Sequence, residues 1–247
     1  MTNKFLIAIP CYNEEQNLDL LLSELLELNL KADILFVEDG SIDRSAEIIN
    51  KSMQNSVQPI SLLKHCFNLG PGVAMETAFK YAISNDYDYV IQLDSDGQHD
   101  PRAITQIMNV FNQDKTIDIA IISRFLGQPS YKMSLLRKIG HWLYSTLASI
   151  ISGQKITDTT SGFRGFSIKS CKFLIATGYP DFFPDIDIIL LLHFNGFKIK
   201  EIPGTMRPRK HGKSMYNFSR VIFHVFRSFL SLSIIVWRVL SKKGRLK

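Results

Sequence analysis

The 247-residue chain lacks most of the signatures by which a chemistry can be read at sight. It has only three cysteines, Cys11, Cys66 and Cys171, far apart and odd in number. They form no zinc-ligand or disulfide spacing, so reduced thiols in a cytosolic setting are expected. No G-x-G-x-x-G follows the first apolar run and no G-x-x-x-x-G-K-[ST] occurs. The usual dinucleotide-binding and P-loop readings therefore have no support. Long apolar runs are missing too. The longest uninterrupted piece of the apolar C-terminal region, between Arg227 and Arg238, is ten residues, where a spanning helix needs about 20. The opening Met1-Thr-Asn-Lys4 and the short run ending at Pro10 are too short for a secretory leader. No internal repeat, low-complexity run or flexible linker is present. Acid is scarce near the C-terminus: residues 198–247 hold thirteen Lys/Arg and one acid, Glu201, while residues 1–197 hold sixteen basic and twenty-two acidic residues. This asymmetry points to an anionic partner for the tail: a membrane surface, a nucleic acid or a phosphorylated substrate.

What is present is strand–helix alternation. Apolar runs at 5–9, 34–37, 60–63, 89–93 and 117–122 read as strands, and helices are expected at 14–26, 44–53, 73–84 and 103–111. Asn13 is expected to cap the first helix, and Ser41 or Asp43 the second. Four repeats of this unit predict an α/β fold with a mainly parallel sheet and one compact domain. Ligands of such sheets sit at the carboxyl ends of the strands. Those ends carry Tyr12, Asn13 and Glu14, then Glu38 and Asp39, then Asp94, Asp96 and Gln98, then Ser123 and Arg124. They should converge on one acidic rim.

Asp94-Ser-Asp96-Gly-Gln98 is the most informative of these ends. Two carboxylates two residues apart repel and raise each other's pKa, and a divalent cation relieves that cost. Hard oxygen ligands suit Mg²⁺ or Mn²⁺, which binds one or two carboxylates and completes its shell with water and substrate phosphates. A plain Asp-Gly turn with helix capping would give the same string, so the loop gains meaning only from its neighbours. Beyond Arg124 the alternation stops. A helix over 135–151 has an apolar-aromatic face preceded by Lys132, Arg137 and Lys138, suited to packing on the sheet or lying at a membrane. The polar, Gly-containing stretch 157–167 reads as a loop entering a strand. A helix follows Asp185 and Asp187, then a strand at 197–202 and a basic turn, 206–215. Residues 217–247 read as a basic amphipathic helix and tail, for a membrane surface, the domain itself or a homodimer.

Taken together, Pro10-Cys-Tyr12-Asn13-Glu14, Val37-Glu-Asp39-Gly-Ser41, Asn68-Leu-Gly70 and Asp94-Ser-Asp96-Gly-Gln98 resemble the successive motifs of family 2 glycosyltransferases of the GT-A fold. Ser123-Arg124-Phe, Asp158-Thr-Thr-Ser161-Gly162-Phe and Arg209-Lys-His-Gly212-Lys-Ser214 resemble the branch of dolichyl- and polyprenyl-phosphate sugar transferases and small bacterial cell-surface polysaccharide enzymes. The resemblance covers roughly 4–216, which sets a catalytic domain at 1–216 and an appendage at 217–247. It implies an inverting, metal-dependent transfer of a hexose-type sugar from a GDP- or UDP-sugar to a polyprenyl or dolichyl phosphate. Tyr12, Glu14 and Asp39 would hold base and ribose. Asp94, Asp96 and Gln98 would hold Mg²⁺ or Mn²⁺ and the diphosphate. Arg124, with Arg137, Arg164 or Arg209, would hold the acceptor phosphate. The same motifs bring Pro10, Asn13, Gly70, Ser123, Ser161, Lys213 and Ser214 into the binding set. A glycan hydroxyl acceptor would need a general base instead, for which Asp185 or Asp187 is the candidate. The catalytic set is thus Asp96, Arg124, Asp185 and Asp187.

Two departures from the pattern stand out. Glu38 replaces the usual Asp, and Met215 replaces the usual Lys, which leans toward the cell-surface enzymes. The pair of long transmembrane segments carried by some relatives is missing, so peripheral docking on the cytoplasmic face of a membrane is expected. A metal-dependent nucleotidyltransferase shares the sheet and the acidic rim, but the Gly-rich basic loop after the first strand is absent. A non-enzymatic nucleic-acid or membrane binder would rest on the tail alone, and no nucleic-acid partner is expected.

Overall fold

The computed structural model describes residues 3–126, 135–179 and 186–208, with only the backbone course given for 135–140. Asp185, Arg209, Lys213, Ser214, the side chain of Arg137 and the expected 217–247 appendage lie outside the described residues. The first part of the chain alternates as β1 (Phe5–Cys11), α1 (Glu15–Glu27), β2 (Asp33–Glu38), α2 (Ser45–Asn55), β3 (Ile60–Lys64), α3 (Pro71–Ser84), β4 (Tyr89–Gln92), α4 (Ala103–Gln113) and β5 (Ile119–Ser123). Then follow α5 (Leu135–Ser152), β6 (Arg164–Ser167), α6 (Ile168–Thr177), α7 (Ile186–Phe194) and β7 (Ile199–Pro203).

The strands form one seven-stranded sheet in the order β3-β2-β1-β4-β6-β5-β7. All neighbours are parallel except β6, which runs antiparallel between β4 and β5, with Arg164 opposite both Gln92 and Ile121. The sheet is buried on both faces, which is why its central strands read as unbroken apolar runs rather than alternating ones. Phe5, Ile7 and Ile9 of β1 pack toward α1 and α4. Leu6 and Ala8 pack toward α3, α6 and α7 on the other face. Each fully buried Leu or Ile of these layers contributes roughly 1.5–3 kcal/mol over its exposed state. Gly165 lets α4 lie against β6, since a Cβ there would overlap the side chains of Ile107 and Phe111.

Element ends differ from the sequence reading where local chemistry decides them. α3 starts at Pro71, not Val73, because proline costs no hydrogen bond in a first turn. Residue 117 belongs to a turn closed by its own N–H onto Asp114 O at 3.3 Å. Asn13 does not cap α1. Its φ is 54°, and its Oδ1 accepts from Ile42 N at 3.0 Å in the loop after β2. α1 has Glu14 at its cap position and no side-chain cap bond. α2 has Arg44 at its cap position and no side-chain cap bond from it, while Asp43 accepts from Ser45 N (2.9 Å) and, with its other oxygen, from Glu15 N (3.1 Å).

Candidate functional site

The carboxyl ends of β1, β2 and β4 meet on one rim. Asp39 N donates to Cys11 O at 2.8 Å, and Ser95 Oγ to Pro10 O at 2.9 Å. Asn13 N and Glu14 N donate to Ser41 Oγ (3.0 Å) and Ser45 Oγ (2.9 Å). The loops after β1 and β2 are therefore knitted into one surface. Tyr12 stands out from it, 42% exposed. Glu14 accepts from Asn17 Nδ2 at 2.6 Å, which holds its carboxylate beside the start of α1. Glu38 is buried and accepts the Ser41 N–H, so its extra methylene over Asp serves the turn. Gly40 is obligatory there: its φ is 70°, and a Cβ would lie 2.5 Å from the backbone carbon of Phe67.

Asp39 is turned inward. One oxygen accepts from Leu69 N (3.0 Å) and contacts His65 Nδ1 (2.7 Å); the other accepts from Gly70 N (2.8 Å). Its side chain is 4% exposed. The carboxylate thus ties the 65–70 loop, and the entry to α3, to the end of β2. Gly70 is buried at that entry with φ 99°.

The loop after β4 presents the paired carboxylates. Asp94 Oδ2 lies 3.1 Å from His99 Nε2, and its side chain is 38% exposed. Burial works to raise the Asp94 carboxyl, but His99, Gln92 and the Arg164 guanidinium outweigh it and hold the group below the usual carboxylate range. Asp94 is therefore ionised at neutral pH. Asp96 Oδ1 accepts from Gln98 N at 3.0 Å across Gly97, whose φ is 70°. Gly162 abuts this loop: a Cβ there would lie 2.7 Å from Asp94 Oδ2. Among the described residues no three His, Cys, Asp or Glu side chains form a cage for an ion. Two carboxylates and the Gln98 amide are nevertheless a hard-oxygen set of the kind that holds Mg²⁺ or Mn²⁺ while leaving positions for water and phosphate. The donor chemistry fits.

A second cluster lies at the end of β5. Arg124 makes a bidentate pair with Asp158, Nε to Oδ2 and Nη2 to Oδ1 both at 2.7 Å, and Nη2 reaches Thr160 Oγ1 at 2.5 Å. Burial works to raise the fully buried Asp158 carboxyl, and Arg124 reverses this, leaving it below the usual range. Glu201 of β7 holds the loop that carries Asp158. Its Oε1 accepts from Asp158 N at 2.8 Å, and its Oε2 from Thr157 Oγ1 at 2.9 Å. Ser123 Oγ meets Thr157 Oγ1 at 2.7 Å. Arg124 Nη1 lies 3.8 Å from Met206 Sδ, and Met206 bridges to His99, so this cluster adjoins the β4 loop.

The rim thus brings together Pro10, Tyr12, Asn13, Glu14, Asp94, Asp96, Gln98 and Arg124. Asp39, Ser123, Ser161 and Arg164 belong to its foundation; Ser123, Ser161 and Arg164 are at most 1% exposed. Arg164 Nη2 donates to Thr159 O at 3.1 Å. Its charge and that of Asp187, in the first turn of α7, both act on buried Tyr179. His65, Ser45, His99, Thr157, Glu201 and Arg207 were missed from sequence. Only His99, next to Gln98, and Glu201, the one acid of its region, carried a signal.

The profile described as "Glycosyl transferase family 2" matches residues 6–174. Polyprenol monophosphomannose synthase of Mycolicibacterium smegmatis is 25% identical over 229 residues, covering 92% of this chain and 86% of that one. UDP-N-acetylglucosamine--dolichyl-phosphate N-acetylglucosaminyltransferase of Methanococcus voltae is 30% identical over 181 residues, 68% of this chain and 71% of that one. Among solved structures, glucosyl-3-phosphoglycerate synthase from Mycobacterium tuberculosis with Mn²⁺ and UDP-glucose superposes with a TM-score of 0.71 at 13% identity, covering 95% of this chain and 79% of that one.

Proposed function

The chain belongs to glycosyl transferase family 2 and has the GT-A fold, and from that premise we propose that it moves a hexose-type sugar from a GDP- or UDP-sugar to a polyprenyl or dolichyl phosphate, with inversion and with Mg²⁺ or Mn²⁺. The observation that carries this reading is the placement of Asp94, Asp96 and Gln98 on the same rim as Tyr12 and Glu14, with Arg124 across the loop. Relatives named for polyprenyl- and dolichyl-phosphate transfer support the acceptor class.

In this reading Tyr12 offers its exposed ring to the nucleobase and Glu14 its carboxylate to ring N–H or ribose hydroxyl groups. Asp39 shapes the pocket through the 65–70 loop rather than by contact. Asp94, Asp96 and Gln98 would hold the ion, which when bound neutralises the diphosphate and polarises the departing oxygen. A lipid phosphate is already an anionic nucleophile, so it needs positioning and charge compensation, not a base. The Arg124–Asp158 pair is formally neutral. Compensation of the acceptor must therefore also draw on Arg137, Arg209 or Lys213, beyond the described side chains. A hydroxyl acceptor is the second reading. Its candidate base is Asp187, in the first turn of α7, where its carboxylate accepts the Ile188 N–H at 3.0 Å.

Membrane contact fits the same reading. No helix among the described residues is long and apolar enough to cross a membrane. α5 nonetheless exposes Trp142 (66%), Leu143 (48%) and Ile150 (73%) along its outer face, a surface suited to an interface.

The test is a panel of nucleotide-sugars with lipid phosphate and Mn²⁺ or Mg²⁺, reading released nucleoside diphosphate. Turnover that needs both lipid phosphate and metal, and that vanishes in folded Asp96→Asn, is expected. Full activity in chelator would overturn the reading. Loss of turnover in Asp187→Asn would move the acceptor to a hydroxyl.

A further inference from the structure

The chain does not leave the sheet freely after β7. Gly204 N donates to Ser123 O at 3.0 Å, Met206 forms an antiparallel bridge to His99, and Arg207 N donates to Gln98 O at 2.7 Å. Gln98 Nε2 returns toward Arg207 O at 3.4 Å. Residues 204–207 thus form a strap from the end of β5 across the loop that carries Asp94, Asp96 and Gln98. The strap ends in a charged clasp. Arg207 Nη1 donates to both oxygens of Glu24, at 2.6 and 2.8 Å. Its Nη2 lies 3.2 Å from Asp100 Oδ1. Glu24 belongs to α1; Asp100 closes the same loop and also holds Arg102.

We infer that Arg207 is a positioning residue: anchored to α1 through Glu24, it fixes the Gln98 end of the carboxylate loop. Ser95 Oγ ties the start of the loop to Pro10 O, Asp94 holds His99, and Asp96 Oδ1 closes the turn onto Gln98 N. The Arg207 N–H and C=O hold Gln98 to the strap. The guanidinium gives that backbone a further anchor, because its bidentate contact with Glu24 joins it to a helix packed on the sheet. Arg207 and Glu24 side chains are 31% and 27% exposed. A pair this accessible adds little to global stability, so its removal should act on the loop far more than on the fold.

This inference rests on the metal–diphosphate reading of the loop, and the experiment separates the two. Mn²⁺ binding is followed by the loss of the free-ion EPR signal on titrating the full chain, with UDP or GDP present. The proteins are wild type, Arg207→Met, Arg207→Lys, Glu24→Ala and the double variant Arg207→Met/Glu24→Ala. Glu24→Ala keeps a good helix former in α1 and so keeps the test alive should Arg207→Met fold poorly. The expected result is Mn²⁺ binding by wild type, weakened roughly five- to tenfold in Arg207→Met and in Glu24→Ala, no further in the double variant, with partial recovery in Arg207→Lys and a nearly unchanged melting temperature. That size corresponds to a modest coupling between neighbouring groups. Equal Mn²⁺ affinity in wild type, Arg207→Met and Glu24→Ala would overturn the positioning role alone. Failure of wild type to bind Mn²⁺ with either nucleotide would overturn the loop reading, and this inference with it.

Discussion

Gly162→Ala is the substitution whose effect can be worked most closely from the structure. The added Cβ would lie 2.7 Å from Asp94 Oδ2 and 3.2 Å from Oδ1, where ordinary contact begins near 3.4 Å. Something must move by about 0.7 Å. Backbone on the Gly162 side is poorly placed to yield: the next residue, buried Phe163, accepts the Ile122 N–H through its carbonyl at 3.0 Å, and Ser161 Oγ closes the turn onto Phe163 N at 3.3 Å. Asp94 must therefore shift. A movement of that size displaces the same oxygen, Oδ2, that meets His99 Nε2 at 3.1 Å. Misplacement of about 1 Å in an active site costs on the order of 100-fold, so kcat/KM should fall about 10- to 100-fold, or roughly 1.4–2.7 kcal/mol. The strain itself should cost about 1–3 kcal/mol of stability. Gly165→Ala provides the control. Its methyl overpacks Ile107 and Phe111 on the α4 face, with a similar cost in stability, and Asp94 is not among its nearest neighbours. The assay is nucleoside diphosphate release over a Mn²⁺ series, well below the melting temperature of both variants. Wild-type kcat/KM in folded Gly162→Ala, or an equal loss in Gly165→Ala, would refute the argument.

Two further predictions concern the groups around the site. Asp158→Asn leaves the Arg124 guanidinium without its carboxylate and should cost about 3 kcal/mol. Because the folded pKa of Asp158 is depressed, its stabilisation is present above the unfolded value of about 3.9 and lost as pH falls toward the folded value. The urea-measured gap between wild type and variant should be wide at pH 7 and narrow below about pH 4; a constant or widening gap would contradict the ion-pair account. Of the thiols, Cys66 is exposed, Cys11 is pushed up to about 12 by burial and Cys171 is raised by burial as well. One thiol should react rapidly with an aromatic disulfide at pH 8 in the native chain and all three in denaturant; a second fast native thiol would disprove the packing of β1 or α6.

The alternation of strands and helices was legible because it is a local property. Unbroken apolar runs mark strands buried on both faces, and helical spacing marks α1 to α4. Strand order was not legible: nothing within Arg164–Ser167 says that it slots antiparallel between β4 and β5. The rim shows the same division. A polar residue after an apolar run can be recognised, but the direction it faces depends on segments far away. Asp39 read as a ligand contact, yet Leu69 and Gly70, 30 and 31 residues later, draw its carboxylate inward. Asn13 precedes a helix and so read as a cap, but the loop after β2 offered Ile42 N instead. Glu201 was visible as a solitary acid among basic residues. Its purpose required the loop at 157–158, 43 and 44 residues before it, to be seen beneath its oxygens.

The reversed direction of β6 reaches beyond strand pairing. β5 ends at the rim and β6 begins there, in adjacent strands only about 5 Å apart. The stretch between Ser123 and Arg164 is therefore an excursion whose two ends are already side by side, leaving and re-entering the sheet at one spot. Lengthening or replacing such an excursion disturbs no strand register, and closing a longer loop costs only about 0.6 kcal/mol per doubling. The insert still touches the rim, because it carries Asp158, the partner of Arg124, and Gly162, against which Asp94 rests. An exchange of this excursion that keeps those two positions leaves the strands and the carboxylate loop as they are.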